Sequence, residues 1–272
     1  MSASTMQDEN KIRTLWLVGC GNMGSALLAR WVDAAETIVV VDPGSPRLPE
    51  GVEHLPALPA GTLPRPDVVV LAVKPQVAPA ALAGLPAVVG PQTTVVSIMA
   101  GTMLSDLAAF AGEAAVVRAM PNTPAAIGKG VTALYANGLA ERARVSVERL
   151  FERAGPVVWL ESESQFDAVT AVSGSGPAYV FRFIEALAAA GEAAGLPPEL
   201  AEKLARATVV GASALAEVDP RSARDLRAAV TSPGGTTQAG LEALDADPGL
   251  PSLVRAAVRA AASRSRELAE GR

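Results

Sequence analysis

Three features of the sequence predict an α/β fold completed by an all-helical part. Up to about Leu160, short β-branched runs alternate with helical or loop segments, which argues for a βαβ succession and a mostly parallel sheet. The first of these runs leads straight into a glycine-rich turn and an amphipathic segment. Beyond Glu163 no comparable valine run is bounded by turns, and stretches of helical length follow one another. The expected layout is a loose polar tail at residues 1–10, a sheet domain at 11–162 and a helical domain at 163–272.

The predicted strands are LWLV at 15–18, IVVV at 38–41, VVVLAV at 68–73, TVVSIM at 94–99, AVVRAM at 115–120, VTALYA at 131–136 and VVWL at 157–160. Between the second and third lies a proline-rich stretch, PGSPRLPEGVEHLPALPAGTLPRPD, whose lack of periodicity predicts a shortened or irregular crossover. In the second half, Asp219-Pro220 and Asp247-Pro248 place an aspartate before a proline, as an N-cap precedes the first helical residue. From Gln165 to about Gly195, Phe166, Val169, Val172, Tyr179, Phe183 and Leu187 recur at helical spacing, with further apolar residues on other faces. A helix apolar on several faces needs more than one covering partner. The helical domain is therefore expected to complete its core with a second subunit.

Composition narrows the class. A chain of 272 residues suggests one to two domains at roughly 150 residues each. Hydrophobic residues make up 50% and aromatics only 4%, so burial rests on alanine, valine and leucine and favours close helix contacts. A net charge of -5 offers no basic footprint for nucleic acid. One cysteine excludes an intrachain disulfide framework and a cysteine-cluster metal site, so no metal is expected. The opening MSASTMQDEN lacks the basic and apolar regions of a secretory signal. VVVLAV falls far short of the ~20 residues that cross a bilayer. A cytoplasmic protein with no membrane partner is expected.

The strongest local motif is LWLVGCGNMGSALLARW. Gly19 permits the tight turn, Gly21 lets backbone approach a pyrophosphate, and Gly24 lets helix and strand lie close, with Asn22 and Met23 of the same turn as further coenzyme-binding candidates. This context, strand then glycine turn then helix, predicts a Rossmann-type dinucleotide-binding domain. Asp42 follows the second strand near the ~20-residue distance at which an acid meets the adenosine ribose. It equally begins an Asp42-Pro43-Gly44 turn. Ser45 and Arg47 stand just beyond, where an arginine accommodates a 2′-phosphate. Ala72, Val73, Lys74 and Pro75 close the third predicted strand at the carboxyl edge, where such sheets bind ligands. Asn122 in RAMPNTPA is a candidate for the nicotinamide ribose or carboxamide, or a shaper of its turn. SGSGPAYVF, from Ser173, places small residues in a helical pattern and reads as close helix contact. His54 reads as a surface residue and Cys20 as structural.

SPGGTT, Ser232 to Thr237, interrupts an alanine-rich region with two adjacent glycines before a fresh helix. Such a start exposes N–H groups from Gly234, Gly235 and Thr236 at a positive dipole end, where an anion can sit. The competing reading is a helix cap in which Thr236 satisfies its own helix.

Taken in order, GCGNMG, AVKPQ, RAMPNTPA, SGSGPAYVF and SPGGTT resemble the pyrroline-5-carboxylate reductase family, from about Lys11 to about Leu268. The resemblance implies reduction of 1-pyrroline-5-carboxylate to L-proline with NADPH or NADH, by a Rossmann domain joined to a helical dimerisation domain. It further implies an active site shared between subunits, in a homodimer or a decamer built of dimers. On this reading Gly234, Gly235 and Thr236 take the substrate carboxylate, Ser232 adds a hydroxyl, and Thr237 matches the threonine that hydrogen-bonds the ring nitrogen.

The sequence departs from the family where Leu-Lys-Asp is common, since Arg227 and Ala228 follow Leu226. Where many members carry small hydroxyl or amide residues for a 2′-phosphate, this chain has Asp42, and a carboxylate there favours NADH use. A β-hydroxyacid dehydrogenase is the alternative enzyme. Lys203, the sole lysine after Lys129, lacks the asparagine four residues on that such enzymes supply. Relatives that reduce NADP with a deazaflavin share the first motif but not SPGGTT. A dinucleotide-binding regulatory protein without turnover is the alternative from another class.

Overall fold

The computed structural model describes residues 11–59 and 65–269. They form two compact units, one running to Gly174 and resuming at Ala261, the other spanning Ser175–Ala260.

The first unit is built on β1 (Ile12–Val18), β2 (Ala35–Val41), β3 (Val52–Leu55), β4 (Val68–Leu71), β5 (Thr94–Ser97), β6 (Ala115–Met120), β7 (Thr132–Tyr135) and β8 (Val157–Trp159). Among the described residues these make one sheet, in the order β3-β2-β1-β4-β5-β6-β7-β8. Every neighbouring pair is parallel except β6 with β7. Alternation along β1 sends Leu15 and Leu17 into one core layer and Trp16 and Val18 into the other. Helix α1 (Asn22–Trp31) covers the first layer with Leu27, Leu28 and Trp31. Trp31 meets Phe151 edge to face at 5.4 Å and donates its indole N–H to the Leu150 carbonyl at 2.8 Å. Burying both the ring and a satisfied polar tip makes this the strongest anchor of that face. The second layer is closed by Leu82, Leu85 and Leu107, which are fully buried.

Register explains where the motif residues gather. Val18 pairs with both Val41 and Leu71, and Val41 pairs with Leu55. The next residues, Gly19, Asp42, Ala72 and Pro56, therefore emerge side by side at one carboxyl edge. This level edge at the strand-order reversal is the position at which open α/β sheets bind ligands.

The structure adds detail to several sequence expectations and overturns one, the aspartate-proline caps. The proline-rich stretch includes a short edge strand, β3, whose Val52 and Leu55 are half-buried while Glu53 and His54 face out. The sheet is mostly parallel as expected, with the one antiparallel pair of β6 and β7. The predicted aspartate-proline caps do not form. Asp219 follows a helix and its carboxylate is held by Arg221 at 2.7 Å, while Ser222 caps the next helix through the Asp225 N–H. Asp247-Pro248 lies ahead of a helix that begins only at Leu250. The segment after Ser162 also groups with the sheet unit as far as Gly174, through a 3₁₀ turn (Glu163–Gln165), a short α-turn and a π-helical turn (Thr170–Gly174).

The second unit is helical. Gly176–Ala193 and Pro198–Val218 lie against each other, with Gly191 so close to Ala201 that an added Cβ would stand 3.3 Å from the Ala201 Cβ. Its buried hydrophobic side chains, among the described residues, are Ala188, Ala201 and Ala205. Phe181, Val210 and Val218 are 60%, 61% and 77% exposed in the single chain.

Candidate active site

The coenzyme candidates converge on a cavity of about 620 Å³ at the level edge of β1, β2 and β4. Gly19, Gly21, Asp42, Ala72, Val73 and Lys74 line it together, which is the strongest grouping of predicted residues in the molecule. Gly19 sits at φ +93, and a Cβ there would strike the Ala72 backbone at 2.8 Å. Gly24 likewise presses against the Gly19 carbonyl, where a Cβ would lie 2.6 Å away. Gly21 differs, because a Cβ on it would meet no protein atom within 4 Å although it lines the cavity. Bare backbone beside open space is what close approach of a pyrophosphate requires.

The helix start fits the same ligand. Ser25 is the first residue to bond back into α1, through the Gly21 carbonyl at 2.9 Å. The first-turn N–H groups of Asn22, Met23 and Gly24 stand outside the helical ladder, at a positive dipole end with no acidic residue in the first turn. Further round, Pro75 opens a 3₁₀ turn behind Lys74, and Val77, Ala80 and Ala81 add an apolar wall. Pro56, Ala57 and Leu58 add to the lining. Their place there depends on β3, which the sequence did not announce. Ser45 is exposed and is not part of this lining.

Of the two readings that the sequence left open for Asp42, the structure shows the turn. Its carboxylate accepts the Gly44 N–H at 2.8 Å, closing the turn, and the Cys20 N–H at 2.7 Å, tying that turn to the glycine loop. It also lines the cavity. Burial, and then the neighbouring Asp42 charge, push the Cys20 thiol pKa up, which keeps the cysteine protonated and structural.

Asn122 is buried, and its side chain is largely occupied. It accepts from the Val131 N–H at 2.9 Å and donates to the Ser173 carbonyl at 3.1 Å. A nicotinamide partner is left with one amide hydrogen and one lone pair. Nearby, a cavity of about 280 Å³ opens at the carboxyl ends of β5 and β6, lined in part by Met99, Arg118, Met120, Glu163 and Phe166. Glu163 accepts from both Arg118 and the Leu104 N–H at 2.7 Å, and Arg118 lies over the Phe166 ring at 4.2 Å. The sequence reading passed over this ion pair. A charged residue inside the strand run AVVRAM was its one visible sign.

In the helical unit, Gly235 is the N-cap of the helix Thr236–Asp245, and no side chain caps that helix. Thr236 therefore does not cap its own helix. Gly234 adopts φ +69, and its N–H donates to the Gln238 side chain at 2.8 Å. The Gly235 N–H donates to the Ser232 carbonyl at 3.1 Å. Two of the three predicted anion-binding groups thus have partners in this conformation, one of them the side chain of half-buried Gln238. Gln238 is itself held by Glu242 at 2.8 Å.

Comparison with known proteins decides the family. Over 266 residues the chain is 41% identical to a pyrroline-5-carboxylate reductase of Pseudomonas aeruginosa, covering 93% of this chain and 96% of that protein. This chain belongs to the pyrroline-5-carboxylate reductase family. Residues 163–268 match the family's dimerisation region, and residues 14–101 match the coenzyme F420-dependent NADP oxidoreductase family. A pyrroline-5-carboxylate reductase structure from Coxiella burnetii superposes with a TM-score of 0.85 at 33% identity, over 93% of this chain and 97% of that one. The Plasmodium falciparum pyrroline carboxylate reductase, solved with NADP bound, superposes with a TM-score of 0.78 at 27% identity, over 96% and 99% of the two chains. Among pyrroline-5-carboxylate reductases, then, the α/β fold with a helical second part is the family architecture. No helix among the described residues is long and apolar enough to cross a membrane.

Proposed function

We infer that the chain reduces 1-pyrroline-5-carboxylate to L-proline, the last step of proline biosynthesis, with NADPH or NADH as reductant. The observation that carries this is the shared cavity of Gly19, Gly21, Asp42, Ala72, Val73 and Lys74, on a chain whose relatives bear that activity. When bound, the nicotinamide supplies a hydride to the ring carbon of the protonated imine and is oxidised, while the C=N π pair moves to nitrogen.

The first-turn N–H groups of α1 hold the pyrophosphate, and Asn122 meets the nicotinamide end through its remaining hydrogen. In the helical unit Ser232, Gly234, Gly235 and Thr236 receive the substrate carboxylate. At Gly234 that carboxylate takes over the N–H now held by the Gln238 side chain. Thr237 orients the ring nitrogen and hydrogen-bonds it as it becomes an amine. A protonated imine is already electrophilic, so alignment and water exclusion matter more than a strong acid. This accords with a site whose named substrate groups are hydroxyls and backbone N–H.

The few buried side chains of the helical unit support assembly as a homodimer, and the larger form that the family resemblance implies is a decamer built of dimers. We place the enzyme in the cytoplasm, with a small-molecule substrate and no nucleic-acid partner. The test follows NAD(P)H absorbance with pyrroline-5-carboxylate, beside coenzyme binding by fluorescence. Turnover to proline is expected. Binding without turnover would favour a regulatory protein.

A further inference from the structure

The coenzyme cavity also bears on which coenzyme it prefers, a point that rests on the dinucleotide reading above and goes past it. An acid beyond the second strand suits a ribose 2′-hydroxyl, whereas an arginine accommodates a 2′-phosphate. In this chain Asp42 is fixed at four points. Its two carboxylate oxygens accept the Cys20 and Gly44 N–H groups, its own N–H donates to the Leu55 carbonyl at 3.0 Å, and its carbonyl accepts from His54 Nε2 at 2.9 Å. Turning the carboxylate away from an incoming phosphate would break both of its bonds. Each oxygen nevertheless keeps a lone pair for a ribose hydroxyl.

The surrounding charge does not rescue a phosphate. Among the described residues that line the cavity, Asp42 and Lys74 are the ionisable ones, so their charges sum to zero. Arg47, the arginine nearest in sequence, is exposed and stands outside the lining. Like charges about 5 Å apart at an effective dielectric near 20 repel by several times the thermal energy. We infer that Asp42, pinned between the glycine loop and its own turn, makes this chain bind NADH ahead of NADPH.

Calorimetric titration of the full-length protein with each coenzyme, in the absence of imine, tests this. NADH is expected to bind about tenfold or more tightly than NADPH. In Asp42→Asn, and in the smaller Asp42→Ser, the ratio is expected to fall toward one, with NADPH affinity rising. Cys20, the single cysteine, gives a second readout, since loss of the Asp42 charge lowers its pKa and speeds alkylation at fixed pH. Equal affinities in the parent, or tighter NADPH binding, overturn the inference while leaving the reductase reading standing, and that result needs no variant to fold. An unchanged ratio in both folded variants also overturns it. Failure of the folded parent to bind either coenzyme removes the dinucleotide reading as well.

Discussion

The two compact units solve the burial problem in opposite ways. The sheet unit covers both faces of its β-strands with its own chain, and Trp16, Trp31, Phe151 and a set of leucines are almost wholly shielded. The helical unit buries three alanines and leaves phenylalanines, valines and leucines open. Apolar surface at ~25 cal/mol per Å² drives folding only where something covers it. A chain that can fold one half alone and needs a second copy for the other ties its stability to concentration in that half only.

The largest expected effect sharpens this contrast from the sheet side. Trp31→Ala removes an edge-to-face contact and a buried indole hydrogen bond together. It should cost ~3–5 kcal/mol of stability, measured by denaturant unfolding of the sheet unit. The loss should be the same at every protein concentration. Concentration dependence there would show that the sheet unit also relies on a partner.

Next comes the helical side. Val210→Asp places a carboxylate on an apolar, 61% exposed position of the long helix. The proposed dimer should weaken about a hundredfold, ~2.8 kcal/mol, by light scattering across a dilution series, while coenzyme binding survives. An unchanged assembly would put the interface elsewhere.

Third is Thr237→Ala, expected to lower kcat/KM about tenfold or more, for ~1.4 kcal/mol of lost transition-state stabilisation. Coenzyme affinity should not move, because Thr237 belongs to the helical unit and the proposed coenzyme cavity to the other. Unchanged kinetics in a folded variant would discard the role.

What the sequence disclosed follows the same division. The glycine loop was legible because a positive φ and close backbone contacts admit only glycine, and that demand is written in residue type. Strands β1, β2 and β4 were legible as short unbroken apolar runs, LWLV, IVVV and VVVL, buried on both faces. Edge strand β3 was not, since VEHL has two polar residues among prolines and pairs on one side. The π-helical turn at Thr170–Gly174 has no compositional signature. Asp42 was ambiguous because a turn aspartate and a ribose aspartate look alike in sequence, and here one carboxylate closes the turn and also reaches the glycine loop. The Arg118–Glu163 pair joins residues 45 apart, which only folding brings together. Gln238 was missed for a different reason. Its side chain folds back on Gly234, so the loop is held from its own helix rather than by a residue ahead of it.

The smallest expected effect lies at the end of the long helix Pro198–Val218. Arg221 holds the Asp219 carboxyl through its side chain and its own N–H, which lowers the pKa from 3.8 to about 2. A carboxyl depressed on folding adds stability that is fully present above its ordinary pKa and is lost as pH falls through the folded value. The contribution is therefore whole at neutral pH, declines between about pH 4 and 2, and vanishes below. Two features keep it small. Solvent screens a surface pair, and a carboxylate beside a helix C-terminus meets the unfavourable end of the dipole. Asp219→Asn should lower Tm by about a degree at most at neutral pH, and parent and variant melts should converge as pH falls toward 2. A gap that widened on acidification would mean that the aspartate is better stabilised unfolded than folded, reversing the role given to Arg221.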